Sequence, residues 1–179
     1  QPGNLAGGGK TGSITSAVAG ENYSITVRLT DTWFNTSTNG GASMGLSLAT
    51  TDPYDPTNPD NARSIANGAY TTTYNHPFQT ANASGWTVTA STRSGPLAAA
   101  ATAGPVVVTP DTNTGGIHTH QMLVLLPGET FTPGKTTAPG GRTGTPFVGT
   151  GLSTPTVGQN ISVTVIGTDR FYNQIFDTD

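Results

Sequence analysis

The sequence predicts an all-β protein, and three observations carry that prediction. Of its 179 residues, 24 are Gly, 13 are Pro and 34 are Thr, while charged residues make up only 9%, against about 25% in typical soluble domains. No window of a dozen residues sets apolar side chains at helical three-and-four spacing without Gly, Pro or a Thr run intervening. Short runs alternate apolar and polar residues instead, which places one set on each face of a strand.

The strands follow in order. Tyr23, Ile25, Val27 and Leu29 alternate with Ser24, Thr26 and Arg28, and Met44, Leu46 and Leu48 alternate with Gly45, Ser47 and Ala49. The Thr-rich stretch from Tyr70 to Tyr74 suits a pleated, half-exposed surface. Trp86, Val88 and Ala90 alternate with Thr87 and Thr89, and Val106 to Val108 form a short strand between Pro105 and Pro110. Gln121 to Leu126 is the most apolar run, and Pro127 with Gly128 stops it. Turn chemistry separates these runs at Asn39-Gly40-Gly41, Asp52-Pro53, Asn58-Pro59, Asn67-Gly68, Ser84-Gly85, Ser94-Gly95-Pro96 and Gly115-Gly116. About seven strands between residues 11 and 110 make one sandwich.

An internal repeat sets the domain organisation. Gly8-Gly9-Lys10-Thr11-Gly12 recurs 132 residues later as Gly140-Gly141-Arg142-Thr143-Gly144. Gly20-Glu21-Asn22-Tyr23-Ser24-Ile25-Thr26-Val27 recurs 138 residues later as Gly158-Gln159-Asn160-Ile161-Ser162-Val163-Thr164-Val165. The match runs on through Thr30-Asp31-Thr32-Trp33-Phe34-Asn35 against Thr168-Asp169-Arg170-Phe171-Tyr172-Asn173. Residues 1–117 therefore read as one whole repeat, and 118–179 as the opening strands of a second, with a Gly/Pro-rich junction over 130–155. The apolar faces Met122, Val124, Leu126 and Ile161, Val163, Val165 are too few to bury themselves, because a two- or three-stranded sheet is marginal in water. These six residues are expected to be assembly strands, covered by an adjacent repeat in tandem or by strand exchange in which Met122 to Leu126 adds to an open sheet edge of a neighbour.

The ordered segments Ala19 to Val27, Thr30 to Asn35, Thr50-Thr51-Asp52-Pro53-Tyr54, Asn67-Gly68-Ala69-Tyr70, Gly85 to Ala90 and Gln121 to Glu129 resemble the tandem immunoglobulin-like β-sandwich repeats of long bacterial cell-surface and fibre proteins. The resemblance spans most of the chain and departs from the usual pattern between Thr130 and Pro155. It implies an immunoglobulin-like sandwich in an extracellular filament, stalk or adhesin at the cell surface, with no catalysis in the repeat. Its partners would be copies of itself or adjacent repeats.

Composition narrows the chemistry. A formal charge of −3 offers no basic face for nucleic acid. There is no run of 18 apolar residues to span a membrane, and no charged-then-apolar leader opens the stretch, as expected of a mature or internal segment. With no Cys, neither a disulfide scaffold nor thiol catalysis is available. Gly7-Gly8-Gly9-Lys10-Thr11 fails as a phosphate loop, because Asn4 stands where its first Gly belongs. No Ser/His/Asp set or Gly-x-Ser-x-Gly elbow can be picked out, so the expectation is a protein that is not an enzyme.

The remaining candidates each have a plain structural reading beside a functional one. Asp31 and Asn35, and their copies Asp169 and Asn173, bracket two aromatics and suit a turn fixed by side-chain-to-backbone hydrogen bonds. Asp31 with Asp52, Asp55 and Asp60 would alternatively supply hard oxygen ligands to calcium. His118 and His120 suit either an exposed strand edge or zinc, if Asp111, Glu129 or His76 approaches. Of the sequons at Asn22, Asn35, Asn82 and Asn160, Asn35 and Asn82 fall in turns and are the better glycosylation sites. Trp33, Phe34, Trp86, Phe171 and Tyr172 could stack on sugars, but Trp86 fits a core position. In the Trp33-Phe34 pair, one ring is expected to cover a sandwich end and the other to pack against a neighbour. The alternative function is a module that binds surface glycans or a partner protein through end loops such as Asp52 to Asn61.

Overall fold

The computed structural model describes residues 6, 8–36, 43–66, 71–149 and 151–175; the turns at Asn39-Gly40-Gly41 and Asn67-Gly68 lie outside them. Among the described residues the protein is all-β, without a helix. Its strands are β1 (Ala17–Val18), β2 (Asn22–Arg28), β3 (Met44–Thr50), β4 (Asp60–Ile65), β5 (Thr71–Pro77), β6 (Asn82–Ser94), β7 (Ala101–Thr109), β8 (Gln121–Leu125), β9 (Glu129–Phe131), β10 (Arg142–Gly144) and β11 (Thr164–Thr168). The first seven match the number expected from turn spacing. Among these seven, alternation does not pick out β1 or β4, and the first two residues of β4 belong to the stretch Asp52 to Asn61 that reads as an end loop.

Strands β1 to β7 form two sheets. One has the order β1-β7-β6-β3-β4, with β1 parallel to β7 and the other neighbours antiparallel. The other is the antiparallel ribbon β2-β5, in the register Ile25↔Tyr74. Side chains from both meet in two apolar clusters. Ala17, Ala19, Phe78, Val88, Val106 and Val108 gather Tyr23, Ile25 and Trp86 around them. Met44, Leu46, Leu48, Ile65 and Tyr74 gather Val27, Leu29, Ala90 and Ala98. Period two is what brings β2 inward through its odd-numbered residues while its even-numbered ones stay exposed. Two sheets sharing cores in this way are consistent with a β-sandwich.

Irregularities fall where Gly and Pro require them. Pro105 lies inside β7, beside β6, where a missing N–H would break a ladder. The β6–β7 register slips between Trp86 and Val88, opposite Gly104 and Pro105, so the proline sits at an irregularity and the strand continues past it. Gly85 has φ +81°, and a side chain there would collide with Pro105 and the Val106 backbone. The strand at Val106 to Val108 is thus longer than its flanking prolines suggested.

Beyond residue 110, β8 pairs antiparallel with β11 in the register Val124↔Val165, and β9 pairs with β10. Leu123 and Leu125 are the buried residues of β8, whereas Met122 and Val124 are exposed and Leu126 is half-buried. The run is apolar on both faces, so alternation could not tell which face would turn inward. Replacing Leu48, buried between both sheets, with Ala should lower unfolding free energy by about 2–5 kcal/mol, read from the midpoint shift in urea.

Candidate functional site

Two copies of one turn dominate the chemistry of this chain. In the first, Asp31 Oδ1 accepts the N–H groups of Trp33 and Asn35, each at 2.9 Å, and Asp31 Oδ2 accepts from Asn35 Nδ2 at 2.9 Å. In the second, Asp169 Oδ1 accepts from Phe171 N at 2.9 Å and Asn173 N at 2.8 Å, and Asp169 Oδ2 accepts from Asn173 Nδ2 at 2.9 Å. The backbones close in the same way: Asp31 N donates to Asn35 O and Asp169 N to Asn173 O. Thr30 bridges Thr36, and Thr168 bridges Gln174. Even the strain is shared, since Phe34 and Tyr172 both hold a left-handed φ, 61° and 64°, that few non-Gly residues adopt. Their rings press on Gly9 and Gly141, where a side chain would clash. At this turn the sequence repeat is a structural one; ahead of it the copies differ, since β2 covers Asn22–Arg28 and β11 covers Thr164–Thr168.

The copies differ in what surrounds them. Asp31, Trp33 and Asn35 are exposed, Trp33 by 61%. Asp169 and Asn173 are fully buried against the end of the β1–β7 body. Asn173 Oδ1 accepts from Ala81 N at 2.8 Å, its Nδ2 donates to Gln79 O at 2.9 Å, and Asp169 Oδ2 accepts from Asp111 N at 3.0 Å. Phe171 packs on the cluster of Ala17, Ala19 and Phe78, over Gly20, where a Cβ would strike its ring. Arg170 donates to the Gly20 and Ile117 carbonyls. These groups form a socket, and the second turn fills it.

The socket is held by a carboxylate. Asp52 Oδ2 accepts from Gln79 N and Thr80 N at 2.8 and 2.9 Å, while Oδ1 accepts from the Thr80 hydroxyl and Tyr54 N. This fixes the Gln79 to Ala81 backbone at the point where Asn173 reads it. Gln79 Nε2 also donates to Gly134 O, tying the segment after β9 to the same end.

The other acidic candidates likewise serve protein donors. Asp55 Oδ2 accepts from the Thr50 hydroxyl at 2.7 Å and lies 2.8 Å from His76 Nε2, and its Oδ1 accepts from Thr57. The Thr50 hydroxyl is turned to Asp55 rather than to His76, so the three side chains are not a nucleophile relay. Asp60 binds Ala62 N and Arg63 Nε. Asp52, Asp55 and Asp60 are buried, and the structure does not bring them together with Asp31 in one ligand set. Among the described residues, the converging group of metal-ligating side chains is Glu21, Asp111 and His118, with ligand atoms within 4.8 Å of one another. There His118 Nδ1 lies 2.6 Å from Asp111 Oδ2 and 3.8 Å from Glu21. The expected His118 and His120 edge pair is not formed: His118 is half-buried against Asp111, and His120 is exposed just before β8. Glu129 accepts from Leu126 N and faces Arg142 instead. Asn35 is exposed, while Asn82 holds its own turn through Ser84 N and Gly85 O.

Burial pushes the Asp55 carboxyl up, but hydrogen bonds from His76, Thr50 and Thr57 outweigh it and hold it below the usual carboxylate range. For Asp111, burial is again opposed by stronger lowering, from His118 and Asn113. Asp31 is lowered first by the Asn35 amide. No protein-family model, curated protein or solved structure matches this chain.

Two outcomes follow for measurement. A carboxyl depressed by folding contributes stability above its unfolded pKa and loses it as pH falls through the folded value. Thermal midpoints should therefore be level above about pH 5 and fall below about pH 4, with a shallower fall in Asp111→Asn. Asp169→Ala, which strands buried donors, should cost about 3 kcal/mol or more in urea unfolding, whereas Asp31→Ala, with the same internal bonds, should change the midpoint only slightly.

Proposed function

We propose that this chain is a structural repeat of an extracellular linear array, a filament, stalk or adhesin shaft of immunoglobulin-like sandwiches assembled end to end. The observation that carries the reading is the burial of Asp169 and Asn173 in the end of the β1–β7 body. A flexible linker would leave the second repeat free to swing. Here its first turn is hydrogen-bonded to the preceding body at Gly20, Gln79, Ala81, Asp111 and Ile117 and plugs that body's core with Phe171. In repeat arrays, such nearest-neighbour interfaces add to the stability of each unit and set its direction.

The opening strands of the second unit support the same reading. Tyr23, Ile25 and Val27 are half-buried against their own core, but their counterparts Ile161, Val163 and Val165 are exposed by 45%, 48% and 57%. Val124 sits opposite Val165 on the same face, with Met122 beside it, so the β8–β11 ribbon presents an apolar face of the kind a second sheet covers. Tandem continuation supplies that cover. β8 already pairs with β11 of the same chain along one edge, which favours tandem continuation over strand exchange there.

A chain in which residues 1–175 are followed directly by 38–179 contains two whole repeats in this arrangement. In solution scattering its longest dimension should exceed that of the original chain by close to one body length, and amides of 161–168 should exchange more slowly. A compact or freely jointed particle, with those amides unprotected, would refute the array.

A further inference from the structure

We infer that the exposed turn Asp31 to Asn35 is a preformed plug, whose partner is the socket end of another sandwich of this same type. The inference rests on the array reading for its setting but on a separate comparison for its force. The two turns share every internal hydrogen bond, the left-handed aromatic and the glycine beneath it. One of them is shown seated. Its outward-facing groups are what seat it: an amide that reads one backbone C=O and one N–H, a carboxylate oxygen that takes a further N–H, and an aromatic ring laid over a glycine.

The first turn displays the same groups to solvent. Asn35 carries the same amide, Asp31 the same carboxylate, and Trp33 offers a larger ring than Phe171 at the same place. Internal bonds already hold the loop in the docked shape, so little conformational entropy remains to be lost on docking. A 61% exposed indole in a rigid turn is the kind of anchor that dominates an interface once buried. The occupant is specified by the complement. It must present a glycine with room for a ring, a carbonyl and an N–H two residues apart on a backbone held as Asp52 holds Gln79 and Thr80, and an N–H such as that of Asp111. This chain's own socket is filled by residues 169–173, so the first turn needs the socket of a preceding repeat. Thr32 stands where Arg170 does, so this joint lacks the two guanidinium bonds and relies more on the indole.

The first experiment moves the plug without opening the fold. In a Trp33→Phe background, the substitutions Arg170→Thr, Phe171→Trp and Tyr172→Phe write the first turn's sequence into the second turn's place. The indole introduced at 171 should be shielded from acrylamide about as well as that of Trp86, with the thermal midpoint within a few degrees of the parent. An indole quenched as freely as Trp33 in the unaltered chain would overturn the inference. If loss of Arg170 alone unfolds the chain, Phe171→Trp with Tyr172→Phe gives the same reading.

The second experiment vacates the socket. The 179-residue chain carrying Phe171→Ala and Asn173→Ala should self-associate head to tail, its mass by light scattering rising with concentration above 18.2 kDa. Trp33→Ala in that background should return it to monomer. A folded, vacated chain that stays monomeric, or oligomers indifferent to Trp33→Ala, would overturn it. A joint that passes these tests while the two-repeat chain shows no extended particle would separate a sound plug from a failed array.

Discussion

The structure depends on carboxylates satisfying backbone N–H groups that strand ladders leave open. A Thr- and Gly-rich chain with 9% charged residues has few side chains able to hold a long loop in one shape. Among the described residues, six aspartates therefore each accept a backbone N–H in a loop or turn. Asp52 takes two N–H groups of the segment after β5, Asp31 and Asp169 each take two within a turn, and Asp55 gathers Thr50, Thr57 and His76. Buried donors without such acceptors would each cost about 1–3 kcal/mol, a large share of the stability of one domain.

This use of Asp links the core to the joint. Asp52 sits at the end of β3 and reaches across to residues 79 and 80. The backbone it fixes is the backbone that Asn173 reads, and Phe171 rests on the same apolar cluster that Phe78 and Val108 fill. Core packing, loop geometry and the seat for the turn at residues 169–173 are therefore one mechanical unit. The same economy explains why these acids do not gather around a common centre: each has its donors close by.

How far the sequence was legible varied with the physics of each element. Strands with one buried face, such as β2 and β3, were readable because burial follows alternation. β4 was hidden, because Asp60 and Arg63 pair with each other and mask the strand as polar loop. β8 is apolar on both faces, so alternation left open which one turns inward; Leu123 and Leu125 are buried, while Met122 and Val124 stay uncovered. Asp52 looked like an exposed binding-loop residue until its partners, 27 and 28 residues away, came into view.

By itself the sequence determined that the chain is all-β and that one turn occurs in it twice, since period-two patterning and the Thr-Asp-x-aromatic-aromatic-Asn repeat are local properties. Only the tertiary structure decided that one copy is buried and the other bare. Within the two six-residue segments Arg170 alone, in place of Thr32, adds bonds that favour the seated copy. The difference arises from Gly20, Gln79, Ala81 and Asp111, remote groups that the sheets assemble into a seat around one turn and not the other.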